Sequence, residues 1–438
     1  MTEIIGVVGA GYVGATTAAG FAHLGYRVGV VDTDPRKVHG ISTGHSGLAE
    51  PGLDEMIDAA VRAEMLTASE HYETLAEATI VFVCVPTPMR SDGAADLTFI
   101  DAAIGGLRPT LGPGNIVVLK STVPVGTGDA VDEAVRDLGV HVVNNPEFLR
   151  EGHTVRDFLN PDRVVVGGEA EPAGRVAALY RDVGAPTSCV DRCSAELAKY
   201  ACNSFLALKL SFVDELASLA ERIGADIDEV TDIMGRDSRI GREFLRPGPG
   251  WGGSCFPKDI RALASIAEAV GLPMRTVTAA IDANEAQSER IVDIVVDTVG
   301  VDGHVAVWGL TFKAGTADLR ESPALKIVGA LRKEGMRVSA HDPTVTDRFA
   351  LSARLPVEFT PESARMPSFD ILADPSSIVP GTDAIVVTTE WEVYRSVDWS
   401  AVAHRSPRAF VFDTRGVVDA RAVRAAGLRF RRIGVAES

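Results

Sequence analysis

An apolar run, Ile4 to Val8, opens the chain. It is followed by GAGYVG, a stretch of small residues, and a second apolar run from Arg27 to Val31. Short apolar runs bounded by turn residues read as buried parallel strands, and the small residues between them as a helix. The alternation returns in ATIVFVCVPTP (78–88), NIVVLKSTVPVGTG (115–128) and HVVNNPEFLREG (141–152). Each run ends in polar or turn residues, at the strand edge where open α/β sheets bind ligands. At Ser194 the period changes. SAELAKYACNSFLALKLSFVDELASLAERIG carries an apolar stripe at helical spacing for 31 residues with almost no breaker. At ~1.5 Å per residue this is roughly 45 Å of helix, long for a small domain and suited to a spine between domains. Helical patterns continue to about 300, and strand–turn–helix logic then restarts in HVAVWGLTFKAGTADLRESPALKIVGAL, RVSAHDP, DAIVVTTEW and AFVFDTRG, with a glycine turn at Gly309.

The first glycine turn has chemical content. Gly9-Ala10-Gly11-Tyr12-Val13-Gly14 lies between strand and helix, and Asp32 stands at the end of the next strand. GxGxxG alone is weak evidence, but this context makes it a dinucleotide fingerprint. Gly9 permits the tight turn, Gly11 lets a pyrophosphate approach the backbone, and Gly14 lets helix pack on strand. Asp32 would hold the adenosine ribose hydroxyls and repel a 2′-phosphate, so NAD is expected over NADP. The expected architecture is α/β: two Rossmann-like doubly wound parallel-sheet domains, 1–193 and 301–438, joined by a long-helix segment, 194–300. A chain of 438 residues accommodates this division.

Composition narrows the partners. The chain is 46% apolar and 24% charged, with 60 acids against 43 bases and a net charge of −17. That surface argues against nucleic acid or anionic membrane as the main partner. Of the five cysteines, Cys189 and Cys193 are four apart, but no second pair accompanies them, so no metal site is expected. No signal peptide and no membrane-length apolar run are read, so the expected location is the cytoplasm.

Cys255 is different. In PGPGWGGSCFPKD it stands between glycines, read here as allowing a ligand close to the backbone, and an amphipathic helix with Pro257 in its first turn. A thiol at a helix N-terminus sees the positive end of the macrodipole, which favours thiolate. Lys199 and Asn203 share a face of the long helix. Their neighbours Tyr200, Cys202 and Phe205 do not read as surface residues, which points away from a merely solvated face. Glu147 and Glu151 are also four apart, just beyond a strand end.

GAGYVG, STVPVGT, NPEFLREG, ELAKYACNSFLA, RIGREFLRPGPGWGGSCFPKD and GLTFKAGTADLRESPA together resemble the UDP-glucose 6-dehydrogenase group of the nucleotide-sugar dehydrogenases. The resemblance runs along essentially the whole chain. It implies an NAD domain, a helical dimerisation segment and a sugar-nucleotide domain. It also implies oxidation of a sugar C6 alcohol to a carboxylate in two NAD-dependent steps. Cys255 matches the nucleophile; Lys199 and Asn203 match the groups that stabilise the alkoxide, with Asp259 and a water assisting. Glu147 matches the acid–base residue, Glu151 a position near substrate and nicotinamide, and Thr122 a hydroxyl that positions water. Gly9, Gly11, Tyr12, Val13, Gly14, Asp32, Lys37, Val85, Thr87, Ser121, Glu151 and Arg320 match cofactor positions. Glu147, Phe148, Leu149, Lys199, Asn203, Phe244, Leu245, Arg246, Gly252, Phe312 and Lys313 match substrate positions. Arg239 matches an arginine that reaches a neighbouring subunit's substrate, so a homodimer or higher homo-oligomer is expected. RIGREFL leans toward UDP-glucose. Trp251 and Arg246 occupy positions that vary in the family and bear on base and sugar choice, leaving dTDP-glucose, UDP-N-acetylmannosamine and GDP-mannose as alternatives. A two-electron hydroxyacid dehydrogenase would need neither the thiol nor residues 301–438, and a non-catalytic nucleotide-sugar binder would not need Cys255, Lys199 and Glu147 together.

Overall fold

The computed structural model describes residues 3–346, 351 and 369–436. The chain divides into two compact units, 1–202 with 261–273, and 203–260 with 274–438. The helical stretch 194–300 is therefore shared between the units.

The first unit is built on an eight-stranded sheet. Its strands are β1 (Ile4–Val8), β2 (Arg27–Val31), β3 (Leu66–Ser69), β4 (Ile80–Val83), β5 (Ile116–Leu119), β6 (His141–Asn144), β7 (Val164–Gly167) and β8 (Thr187–Val190), in the order β3-β2-β1-β4-β5-β6-β7-β8. Every pairing is parallel except β6 with β7, which is antiparallel. The first six strands follow the doubly wound order that binds dinucleotides. Successive residues of β1 and β4 feed opposite faces: Ile5, Val7, Ile80 and Phe82 join one apolar cluster, Val8, Val81 and Val83 the other. This two-faced burial is why these strands are continuous apolar runs. The C-terminal ends of β1, β4, β5 and β6 present the turns that begin at Gly9, Cys84, Lys120 and Asn145.

A 32-residue helix, Arg192–Ile223, follows β8. Asp191 caps its start, accepting from Ser194 N–H at 2.8 Å, and Gly224 beyond its end has φ +78°, a left-handed stop that suits glycine. The helix buries Tyr200 but leaves Leu197, Phe205, Phe212, Leu219 and Ile223 exposed. Phe205, expected to be sheltered, is 63% exposed. It lies on a second apolar stripe with a seven-residue spacing, distinct from the stripe that packs inward.

In the second unit, β9 (His304–Trp308), β10 (Arg337–His341), β11 (Asp370–Ile371), β12 (Ala384–Val387), β13 (Phe410–Asp413) and β14 (Arg429–Arg432) form an all-parallel sheet in the order β11-β10-β9-β12-β13-β14. This repeats the order of the first six strands of the other sheet. The repeat reaches the turns: Gly9 N–H donates to Val31 O and Gly309 N–H to His341 O, both at 2.7 Å. The acids beyond the second strands behave alike as well. Asp32 Oδ2 accepts from Ala10 N–H at 2.6 Å, and Asp342 Oδ2 from Leu310 N–H at 2.7 Å. Asp342 Oδ2 also takes bonds from Thr311 N–H, Thr311 Oγ1 and Trp391 Nε1, at 3.0, 3.1 and 3.3 Å.

Among the described residues no helix is long and apolar enough to cross a membrane, and no cluster of three His, Cys, Asp or Glu could hold a metal ion.

Candidate active site

The glycine turn after β1 has the tight turn and the close helix packing that its spacing predicts, with open space over Gly11. Gly9 has φ +98°, and a Cβ there would press on the Cys84 carbonyl. A Cβ on Gly14 would collide with the Gly9 carbonyl oxygen, whereas one on Gly11 would meet nothing within 4 Å. The open side of Gly11 leaves room for an anion at the N-terminus of helix Tyr12–His23. Asp32 is nearly buried, with Lys37 Nζ 3.4 Å from its Oδ2. These residues fit a dinucleotide and an acid-bound ribose. The loops after β4 and β5 are stapled together: Thr87 Oγ1 donates to Thr122 O at 2.9 Å and Ser121 Oγ to Val85 O at 2.7 Å. Val85, Thr87, Ser121 and Thr122 thus form one rim, flanking the Gly9–Gly14 turn across adjacent strands.

Beyond β6, Asn145-Pro146-Glu147 turns inward. Glu147 Oε1 lies 3.0 Å from Lys199 Nζ, and both side chains are buried, at 7% and 4% exposure. Its other oxygen accepts from Leu149 N–H at 2.5 Å. Burial pushes the Glu147 carboxyl up, but the Lys199 ammonium, the Leu149 N–H and the charge of Lys120 outweigh it and hold the group below its ordinary value. Lys199 also sits 5.2 Å from the centre of the Phe148 ring, and the Arg163 guanidinium stacks on that ring at 3.8 Å. The rest of the turn is anchored by two acids, one seven residues on and one far away in sequence. Asp157 grips Arg150, and Glu50 accepts from Gly152 N–H and Thr154 N–H at 2.6 and 3.0 Å. Glu151 is half-buried within this anchored turn. Glu196, one turn before Lys199, accepts from Gly126 N–H and Gly128 N–H at 2.7 Å and from Asn144 Nδ2 at 3.0 Å. The helix bearing Lys199 is so bonded to both the STVPVGT loop and the end of β6.

In the second unit, Asn203 Nδ2 donates to Asp259 Oδ2 at 2.6 Å, and Lys258 Nζ is 2.5 Å from Asp259 Oδ1. Asp259 is only 1% exposed. Cys255 is half-buried immediately before helix Phe256–Ala269, and its carbonyl accepts from Asp259 N–H at 3.0 Å. Thiol and carboxylate therefore bracket the first turn of one helix, with Pro257 inside it. The glycines before Cys255 also let the protein's own segments come close. A Cβ on Gly252 would strike Glu321 O, one on Gly253 the Phe312 ring, and one on Gly248 the Arg415 guanidinium.

That packing brings several expected substrate residues together. Gly253 N–H donates to Arg320 O at 3.1 Å, next to Phe312 and Lys313. Glu321 at φ +49° and Phe244 at φ +61° are held in left-handed backbone that non-glycine residues rarely adopt. Leu245 is buried and Arg246 exposed. Arg320 forms a two-point bond with Asp318. Arg239 pairs with Asp237 while 88% exposed, so it projects from the surface. The supports of the PGPGWGG loop were not evident from sequence. Asp214 accepts from Gly248 N–H at 2.7 Å, Gln287 donates to Gly248 O at 2.6 Å, and Asn284 brackets Trp251 from both sides of its peptide. Their signal was available: polar residues on the inward stripe of a helix.

The chain matches three successive domains of the UDP-glucose/GDP-mannose dehydrogenase family: the NAD binding domain over residues 3–184, the central domain over 193–286 and the UDP binding domain over 306–420. It is 37% identical to the UDP-glucose 6-dehydrogenase of Rhizobium meliloti, covering 98% of this chain and 99% of that protein. Its fold is similar to the UDP-glucose dehydrogenase of Pyrobaculum islandicum, with a TM-score of 0.89, 34% identity and coverage of 100% and 98%. The UDP-D-ManNAc dehydrogenase of Pyrococcus horikoshii aligns with a TM-score of 0.85 at 25% identity, covering 99% of each chain. A dinucleotide turn, a buried lysine–glutamate pair, a helix-start thiol and full-length similarity lead to one conclusion: the chain belongs to the UDP-glucose/GDP-mannose dehydrogenase family and uses NAD.

Proposed function

We propose that this chain oxidises the C6 alcohol of UDP-glucose to the carboxylate of UDP-glucuronate in two successive steps at Cys255. The observation that carries the reading is the first turn of helix Phe256–Ala269. There the half-buried Cys255 precedes Asp259, which is bonded to Asn203 at 2.6 Å. A thiol is dispensable for oxidising an alcohol to an aldehyde and useful for carrying the aldehyde onward.

The alcohol loses a proton and a hydride to give an aldehyde. Lys199 and Asn203, one helical turn apart, donate to the developing alkoxide, and Asp259 orients Asn203 and a water that accepts the proton. The Cys255 thiolate then adds to the aldehyde, and the resulting thiohemiacetal carbon can lose a second hydride to become a thioester. Glu147, kept ionised by Lys199, takes a proton from the water that cleaves the thioester, with Thr122 placing that water; the products are the carboxylate and the Cys255 thiol. Glu151 lies near the reacting end. NAD, when bound, accepts a hydride in each oxidation. Gly9–Gly14, Asp32, Lys37, Val85, Thr87, Ser121 and Arg320 are assigned to it. Phe148, Leu149, Phe244–Arg246, Gly252, Phe312 and Lys313 are assigned to the sugar nucleotide.

The higher identity to UDP-glucose enzymes than to the UDP-D-ManNAc enzyme supports glucose as the sugar. The exposed stripe Phe205, Phe212, Leu219 supports a homodimer through the long helix, with Arg239 reaching the neighbouring copy. The test is a panel of nucleotide sugars with NADH counted per molecule consumed. UDP-glucose should turn over best, with two NADH and no aldehyde in solution. One NADH with aldehyde released would overturn the four-electron reading, and preference for UDP-N-acetylmannosamine or GDP-mannose would overturn the substrate.

A further inference from the structure

Lys120 has no part in the chemistry above, yet its position is costly. It follows β5 directly, is 4% exposed, and finds only neutral partners. Its ammonium donates to Asn145 Oδ1 at 3.0 Å and to the Tyr180 hydroxyl at 3.2 Å. It also lies 5.6 Å from the centre of the Tyr180 ring and 6.0 Å from that of Phe82. Among the described residues no carboxylate lies within ion-pair distance of it. A buried ammonium without a counter-ion is disfavoured by several kcal/mol and persists where surrounding groups or function require it.

The partners show what it holds. Tyr180 donates to the same Asn145 oxygen at 2.6 Å, and Asn145 Nδ2 donates to Val165 O on β7 at 2.8 Å. All hydrogen-bonding capacity of the Asn145 amide oxygen is thus taken up two residues before Glu147. The titratable groups around the ammonium are Cys84 after β4, Glu147 after β6, Lys199 on the long helix and Tyr180. Burial above all, with a smaller push from Lys199, lowers the Lys120 pKa to about 8 against the opposing charges of Cys84 and Glu147.

We propose that Lys120 is a positioning residue for the Glu147–Lys199 pair, fixing the start of the NPEFLREG turn through Asn145 and giving Glu147 a second cation. The inference rests on the reading of Glu147 as the base of thioester hydrolysis. Wild-type NADH stoichiometry decides that reading separately; the variant comparison below concerns Lys120 alone.

Lys120→Met keeps an unbranched chain between Phe82 and Tyr180 and removes charge and donors. In single turnovers the hydrolytic step should slow on the order of tenfold near neutral pH, as expected for a displaced catalytic group, with the KM for UDP-glucose unchanged. Because wild-type Lys120 discharges near pH 8, the ratio of wild-type to variant rates should fall by about half or more between pH 7 and pH 9.5. A merely structural role gives a ratio independent of pH, and that result overturns the proposal, as does hydrolysis at the wild-type rate. Should Lys120→Met not fold, Tyr180→Phe removes an acceptor from the ammonium while leaving its charge. Hydrolysis should then decline at lower pH than in wild type, and an unchanged profile overturns the proposal.

Discussion

Glu147→Gln separates the oxidations from the release of product. The substitution preserves shape and replaces the carboxylate oxygen 3.0 Å from Lys199 Nζ by a neutral group. Glutamine cannot take a proton from water, and a positioned base contributes about 10²–10⁴ in rate, which is about 2.7–5.5 kcal/mol on the barrier. On the proposed roles, hydride removal is served by Lys199, Asn203 and Asp259 rather than by Glu147, so both oxidations should slow far less. Stopped-flow absorbance should show a fast burst of two NADH per site, followed by a steady rate about 10²–10⁴ below wild type. Acid-quenched intact-protein mass spectrometry should find a sugar-nucleotide acyl group mapped to Cys255, and Cys255→Ala should abolish both adduct and acid while NAD still binds. The pair has a stability consequence too. Removing one partner of a buried ion pair costs about 3–5 kcal/mol, so thermal melts must confirm that the variant is folded. A folded, NAD-binding Glu147→Gln enzyme with no burst, or acid formation by Cys255→Ala near the wild-type rate, would refute the assignment of base and nucleophile.

Asp32→Asn should reduce the preference for NAD over NADP by about tenfold, since it removes the charge that opposes a 2′-phosphate; an unchanged ratio of kcat/KM values would place discrimination elsewhere. Burial raises the Asp214 pKa to about 7 against the Gly248 N–H and the charges of Arg415 and Arg290. A raised carboxyl contributes stability that is complete below its unfolded pKa and is lost as pH rises through about 7, so the Tm of Asp214→Asn relative to wild type should increase from pH 5 to pH 8. A difference that does not change with pH would mean that Asp214 is ionised throughout. Phe212→Glu puts a charge in the middle of the exposed stripe and should shift sedimentation toward monomer; a fully active wild-type monomer at assay concentration would remove the dimer from the proposal.

The parts legible in the sequence are those whose residues have one physical use. Gly9 and Gly14 each need a different absence of side chain, one for a left-handed φ and one for close packing, and both stand where the spacing puts them. Most buried strands announce themselves because both faces are covered, though the short, equally buried β7 goes unread. β8 goes unread too, because all four of its residues are exposed and carry no apolar pattern. Phe205 was misplaced because periodicity reveals that a helix has an apolar stripe, but not whether a second stripe faces solvent. That the glycines of PGPGWGG also pack on Glu321, Phe312 and Arg415 is not legible in the sequence, because those neighbours are distant along the chain. Asp214, Glu196 and Lys120 could be seen only as polar letters in apolar surroundings, and what they grip became visible only with the fold.

The doubled strand order implies a division of labour made by plugging one of two similar sockets. Where the first turn has Gly11 with open space above it, the corresponding place in the second is Thr311. There Asp342 Oδ2 is already occupied by two backbone amides, a hydroxyl and an indole. The acid that could greet a ribose in one sheet is a rivet in the other. Among the described residues the two sheets thus share a dinucleotide-binding strand order while their glycine turns differ, the first open above Gly11 and the second filled by Thr311 and Trp391.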